Sequence, residues 1–285
     1  MTNQIDKSIT LAKLQATELD ILKIFRDFCE KYNLEWWIDS GTVLGAVRHG
    51  GFIPWDDDID VGMLRSDYDK LLQLAEDDFP SGYSIHTCNN TDGYAAMFAK
   101  IYMNGTLFET EETRQAGIEQ GIFIDIFPYD FVPQDPSSEK KVRRNARLWQ
   151  SCSYLFHSGD IVVPHKGLAG FFEKLGCKLA HGVIRKTFSS QGIYQRFEQA
   201  TSYSGLKSDR VLPFAWPNMP SLPKDVLVPP SKVCFEGESF PCPAQPRAYL
   251  EAMYGNWQEL PAPEDRRTHL PLKLVFADGE VWTKD

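Results

Sequence analysis

An α+β fold is predicted for this 285-residue chain: a small mixed sheet with flanking helices, then a mainly helical C-terminal part. Three observations carry that reading. The chain opens on apolar residues at helical spacing. Short aromatic and β-branched runs, separated by glycine-rich turns, then continue to residue 127. Beyond Pro128, Pro133 and Pro136 the pattern returns to helical period.

Leu11, Leu14, Leu22, Phe25 and Cys29 lie on one helical face, widened by Ile21, Ile24, Phe28 and Tyr32, and the pattern fades near Asn33. Leu34 to Ile38 reads as a strand. Gly41-Thr42 opens a helical turn, Val43 to Arg48, stopped by Gly50-Gly51. The loop Phe52-Ile53-Pro54-Trp55 leads to a second strand, Asp58 to Met63. Ser66-x-x-Asp69 has the spacing of a capping box for a helix through about Ala75. Further strands are expected at Tyr83–His86, Ala95–Met103 and Ile122–Phe127. The prolines place a boundary between a core, 1–135, and an annex, 136–285. Helices are expected at 137–157, 167–187 and 246–254, with an irregular proline-rich stretch from Leu212 to Pro246.

Hydrophobic residues make up 42% and charged residues 24%, enough apolar surface for a folded core and against disorder. A net charge of −9 gives no bulk positive field to draw the chain to nucleic acid or an anionic membrane. The N-terminus lacks the basic start and apolar run of a secretory signal. The most apolar stretch of the second half, Gly167 to Ile184, is broken by Glu173, Lys174, Lys178 and His181, so no membrane span is expected. Six scattered cysteines without a C-x-x-C pair read as reduced thiols in a cytoplasmic protein. Cys177 and His181, four apart on a helix, are expected to pack rather than bind zinc.

The chemistry concentrates in acidic residues. Polar and apolar residues alternate through Asp58-Ile59-Asp60-Val61-Gly62-Met63, which puts both carboxylates on one face of a strand with Ile59, Val61 and Met63 beneath. Adjacent carboxylates repel, and a divalent cation with oxygen preference, Mg²⁺ or Mn²⁺, removes the conflict. Asp125 lies inside Gly-Ile-Phe-Ile-Asp-Ile-Phe-Pro, a run that reads as a buried strand. A carboxylate there needs a cation, a salt bridge or a proton. Three carboxylates from two strands match the needs of two-metal phosphoryl transfer.

Asp56-x-Asp58-x-Asp60 begins like a calcium loop, but Val61 stands where glycine is required and Asp67 where glutamate is, which excludes an EF-hand. An Asp-x-Asp holding Mn²⁺ for a nucleotide-sugar glycosyltransferase is the alternative; that pair usually ends an apolar strand, whereas here the acids begin one. Free N–H groups at Gly41-Thr42 suit a phosphate. Arg48, His49 and Lys100 are the nearest cations for a diphosphate. Trp36, Trp37, Trp55 and Tyr129 are aromatic candidates for a quaternary ammonium, with core packing the commoner fate.

The run from Trp37 to Val61, W-I-D-S-G-T-V-L-G-A-V-R-H-G-G-F-I-P-W-D-D-D-I-D-V, closely resembles the signature of the LicD family. Residues 121–128 resemble its second block. Tyr249-Leu250 through Tyr254-Gly255, then Leu260-Pro261 and Arg267-x-His269, resemble its C-terminal block. The resemblance implies a nucleotidyltransferase-type, polymerase-beta-like fold. It also implies transfer of a phospho-substituted group, phosphocholine or similar, from a CDP-linked donor to a cell-surface glycan or its lipid-linked precursor. Gly41 and Thr42 then match the phosphate-binding turn, Asp58 and Asp60 the metal pair, and Asp125 the third carboxylate. The alternatives are the glycosyltransferase and a nucleotide- or glycan-binding protein without turnover.

Overall fold

The computed structural model describes residues 7–159, 167–202 and 208–284. Helix α1 (Lys7–Tyr32) buries Leu14, Ile21, Leu22, Phe25, Phe28 and Cys29 in one stripe. Strand β1 (Trp37–Ile38), helix α2 (Ser40–His49), strand β2 (Asp60–Leu64) and helix α3 (Arg65–Asp78) follow. Next come β3 (Tyr83–His86), β4 (Ala99–Met103), β5 (Leu107–Glu109), the short α4 (Glu111–Ala116) and the long β6 (Ile122–Phe131). The second half opens with α5 (Pro136–His157), α6 (Gly167–Thr187) and α7 (Ser190–Thr201). It continues through β7 (Arg210–Leu212), β8 (Leu222–Pro223), β9 (Ser231–Phe235) and β10 (Glu238–Cys242). The chain closes with α8 (Pro246–Tyr254), β11 (Lys273–Val275) and β12 (Val281–Thr283).

The main sheet runs β1-β2-β6-β4-β3. Only β2 and β6 are parallel; the neighbouring pairs are antiparallel. This is the mixed α/β architecture the sequence predicts. The buried side chains of α1 meet the sheet at β6, whose Ile122, Ile124 and Ile126 are fully buried. β6 runs through Pro128, further than expected. The residue is tolerated because β4 stops pairing at Ile126 and β7 joins only at Asp130, so the missing N–H interrupts neither ladder.

The second half is less helical than predicted. The stretch assigned as irregular holds the β9–β10 hairpin, in which Glu236 and Gly237 both take positive φ at the turn. Its inward residues Phe235, Phe240 and Cys242 are fully buried. Strands β11 and β12 extend β5 into a second small sheet, so residues near the C-terminus pair with residues 107–109. Helix α7 was not anticipated; it is fastened by Arg65, which grips Asp130 through two 2.8 Å hydrogen bonds and reaches Glu198 at 3.3 Å.

Two local expectations need correction. Ser66-x-x-Asp69 is not a capping box: α3 leaves β2 without a loop, Leu64 stands at the N-cap with no side-chain cap, and Ser66 is already inside the first turn. Asp69 pairs with Arg65 instead. Pairing in β2 begins at Asp60, so Asp58 lies on the loop side of the strand. The His181 Nδ1 atom is hydrogen-bonded to the Leu155 carbonyl at 2.7 Å. No helix among the described residues is long and apolar enough to cross a membrane.

Candidate active site

The parallel pairing of β2 and β6 sets Asp60 directly opposite Asp125, and the antiparallel pairing of β4 sets Lys100 opposite Asp125 in turn. Three charged residues thus form a row across three neighbouring strands, while Ile59, Val61 and Met63 are fully buried beneath. The alternation read from the sequence is what places the acids on the open face. Asp58, one step before the strand, joins them.

The backbone of Asp60 is held on both sides. Its N–H donates to the Thr42 hydroxyl at 2.9 Å, and its carbonyl accepts from the Asp39 N–H at 2.8 Å. Asp39 is itself buried, and its carboxylate accepts hydrogen bonds from the hydroxyls of Tyr129 and Tyr249. The Ser40 N–H donates to the Tyr249 oxygen at 2.9 Å, which fixes Ser40 at φ 46°, a strained value outside glycine. This chain of bonds aims the first turn of α2 at the acids. A Cβ on Gly41 would lie 3.0 Å from an Asp56 carboxylate oxygen, so a side chain there would crowd Asp56.

An open cleft of about 700 Å³ gathers these parts. Ser40, Gly41, Asp56, Asp58, Asp60 and Asp125 form its acidic floor. Phe127, Trp216, Met219, Met253 and Tyr254 form a soft wall, and Arg147 with Gln150 enters from α5. Trp216 is 46% exposed and Tyr254 42%, so both rings face solvent.

The floor resists ionisation. Desolvation by the cleft walls, then repulsion from Asp56, Asp125 and Asp57, pushes the carboxyl of the exposed Asp58 up to about 8. Burial and the neighbouring acids Asp58 and Asp125 hold Asp60 well above the usual carboxylate range. Asp56 is raised to about 6 by burial and by Asp57. Asp125 is raised by burial, against the pull of Lys100, whose ammonium sits 2.5 Å from Asp125 Oδ1. Glu18 of α1, fully buried behind the cluster, is raised by its own desolvation and by Asp58, Asp57, Asp56 and Asp125, and its Oε2 has no hydrogen-bond partner among the described residues.

Of the residues singled out in the sequence, Gly41, Asp58, Asp60 and Asp125 meet in the cleft. Thr42 and Lys100 stand directly behind, bonded to Asp60 and Asp125. Arg48 and His49 lie at the other end of α2, where Arg48 donates to the Trp257 carbonyl at 3.1 Å. The aromatic candidates Trp36, Trp37 and Tyr129 are core residues, and Trp55 packs beneath Arg266. Arg147, Gln150, Trp216 and Tyr254 were not singled out as site residues. Trp216 does carry a signal, a large aromatic inside the turn-rich run Trp-Pro-Asn-Met-Pro. His269 donates its backbone N–H to Asp57 Oδ1 at 3.1 Å, which pins the C-terminal block beside the floor.

Residues 33–166 match the family model described as LicD/FKTN/FKRP, nucleotidyltransferase domain. The chain carries a LicD-family domain. It is 29% identical over 271 residues to the lipopolysaccharide cholinephosphotransferase LicD of Haemophilus influenzae, covering 92% of this chain and 97% of that protein. A 45-residue stretch is 42% identical to the ribitol 5-phosphate transferase FKRP of human and mouse, covering 16% of this chain and 9% of each relative. An uncharacterised protein of Rickettsia prowazekii is 37% identical over 82 residues, 29% of this chain and 31% of that one. The domain match and these relatives support a phosphotransferase enzyme.

Proposed function

We propose that this LicD domain adopts the nucleotidyltransferase fold and moves a phosphate-linked substituent, phosphocholine or a relative, from a CDP-linked donor to a glycan, with a divalent metal at Asp58, Asp60 and Asp125. The observation that carries the reading is the placement of Asp60 opposite Asp125 on parallel strands, with Asp58 beside them and all three carboxyls pushed upward.

The donor set fits Mg²⁺ or Mn²⁺: it is oxygen only, and its members repel one another, a conflict that a divalent cation relieves. As the side chains stand, no three His, Cys, Asp or Glu groups among the described residues converge on an ion. Asp125 is drawn to Lys100, so closing the cage requires its carboxylate to turn. When bound, the metal supplies positive charge where the donor diphosphate would lie.

The protein residues do the rest. First-turn N–H groups of α2 at Gly41 and Thr42 have no acceptor within the helix and are directed toward a phosphate. Arg147, the one Lys or Arg lining the cleft among the described residues, faces the charge of the departing nucleotide. Asp56, with its carboxyl near 6, takes the proton of the acceptor hydroxyl. That hydroxyl oxygen forms a bond to the phosphorus of the transferred group. The bond from this phosphorus to the bridging oxygen breaks, and CMP leaves with the electron pair. The aromatic and thioether wall, Phe127, Trp216, Tyr254, Met219 and Met253, receives the substituent.

The test is incubation with Mg²⁺, a panel of CDP-linked and sugar-nucleotide donors and candidate glycan acceptors, with nucleotide products followed by chromatography. Metal-dependent CMP, lost in Asp60→Asn, supports the assignment. A nucleoside diphosphate from a sugar nucleotide would replace it with a glycosyltransferase. Tight donor binding without turnover under every acceptor would leave a binding protein.

A further inference from the structure

Helix α6 shows solvent an apolar stripe that no packing argument explains. Leu175, Leu179 and Val183, at positions i, i+4 and i+8, are 45%, 65% and 64% exposed. These three side chains project from one face, with the exposed Gly176 and Gly182 beside them. The inner face, Cys177, Ala180, His181 and Ile184, is half-buried, and the helix packs against α5. Residues 173–187 therefore form a helix that is apolar on both sides, although only one side has a neighbour among the described residues.

Charge selects the occupant. Lys174, Lys178, Arg185 and Lys186 are all exposed on the same stretch. The one acid among these residues, Glu173, is turned to the half-buried side. In a chain of net charge −9, the outward surface of α6 is therefore locally cationic. Two copies of such a face would meet with like charges opposed. A surface that is negative at its rim and apolar within matches it instead: long basic side chains reach the charged layer while leucine and valine enter the boundary beneath. The adjoining helix α5 adds exposed Lys140, Lys141 and Arg144 and the 53% exposed Leu148. α6 is too polar to cross a bilayer, in keeping with a helix that lies in the interface plane.

We infer that α6 is a docking helix that seats the protein on an anionic lipid bilayer through Leu175, Leu179 and Val183, with Lys174, Lys178, Arg185 and Lys186 at the headgroups. The inference stands independently of the transferase reading, since it uses no residue of the cleft.

The experiment is co-sedimentation of the purified full chain with vesicles of phosphatidylcholine alone and of phosphatidylcholine with phosphatidylglycerol. Binding to the anionic vesicles, weakened by salt and nearly absent on phosphatidylcholine, is expected. The double variant Leu179→Glu, Val183→Glu should lose at least about tenfold in partitioning. Because both sites are exposed, its melting temperature should match the parent, and CMP release from the donor in the presence of a soluble acceptor should not change. A second variant, Lys174→Gln with Lys186→Gln, should bind less strongly. Failure of the parent to bind anionic vesicles would overturn the inference, as would equal binding by the glutamate variant. A parent dimer that becomes monomeric in that variant, without vesicle binding, would make the face a self-interface instead.

Discussion

Lys100 and Asp125 are paired at 2.5 Å on neighbouring strands, with the Lys100 ammonium also 3.5 Å from the centre of the Phe123 ring. The central carboxylate of the cleft is thus balanced by a cation on the neighbouring strand. The sequence reading gave Lys100 to the donor diphosphate; the structure gives it a carboxylate.

Lys100→Met should therefore act first on the fold. Both side chains are only 13% exposed, so breaking the pair leaves an uncompensated acid. A loss of about 3 kcal/mol is expected, read by urea unfolding at neutral pH without metal. Added Mg²⁺ should recover more stability in this variant than in the parent. Unchanged stability with a raised KM for the donor would return Lys100 to the diphosphate.

Asp60→Asn should reduce turnover by at least ~100-fold, close to 2.7 kcal/mol of barrier. The same change removes a repelled charge beside Asp58 and Asp125, so the metal-free melting temperature should hold or rise. Near-parental turnover in the folded variant would remove Asp60 from the site.

Metal-free stability should fall as pH rises. A carboxyl whose folded pKa lies above its unfolded value takes up a proton on folding, which favours the fold at low pH and is lost as pH climbs through the folded value. For Asp58 that window runs from the ordinary carboxylate value of 3.8 to about 8, and Asp60 shifts in the same direction. Melting curves with a chelator across this range should decline, and saturating Mg²⁺ should flatten the decline.

Tyr249→Phe removes the hydroxyl that donates to Asp39 and accepts from Ser40. A cost of about 1–3 kcal/mol is expected for the buried groups left unsatisfied. Turnover should also drop, because the first turn of α2 loses its anchor. Intact kcat alongside reduced stability would show that the turn holds its shape without Tyr249.

Arg147→Gln and Arg48→Gln separate two ends of one helix's surroundings. The first should raise the KM for the donor roughly tenfold, and the second should leave steady-state kinetics alone. The reverse pattern would move the diphosphate to the far end of α2.

The acids were legible because a strand enforces period two: alternation after Asp58 and the apolar run around Asp125 both constrain which way a side chain points. Register supplied what alternation could not, the juxtaposition of Asp60 and Asp125. Arg48 and His49 were assigned by closeness in sequence to Gly41. Seven residues of helix separate Gly41 from Arg48, roughly 10 Å at 1.5 Å per residue, and the cleft occupies only one end. Arg147, Trp216 and Tyr254 come from α5, a proline-rich loop and α8. Nothing local in those segments marks convergence on residues 56–60. Likewise the strands of the second half are two to five residues long, too short for a periodic signal among the prolines.

The acidic run 56–58 reads as one letter written three times, yet each copy has a different neighbour. Asp56 crowds Gly41, Asp57 accepts the His269 N–H, and Asp58 faces the cleft beside Asp60 and Asp125. Removing one aspartate from the run would leave a sequence that still looks acidic to the eye. It would also slide every remaining side chain into the wrong post: the latch would face the ligand and the ligand face would be pinned to the tail. Position, rather than charge, is what this loop encodes.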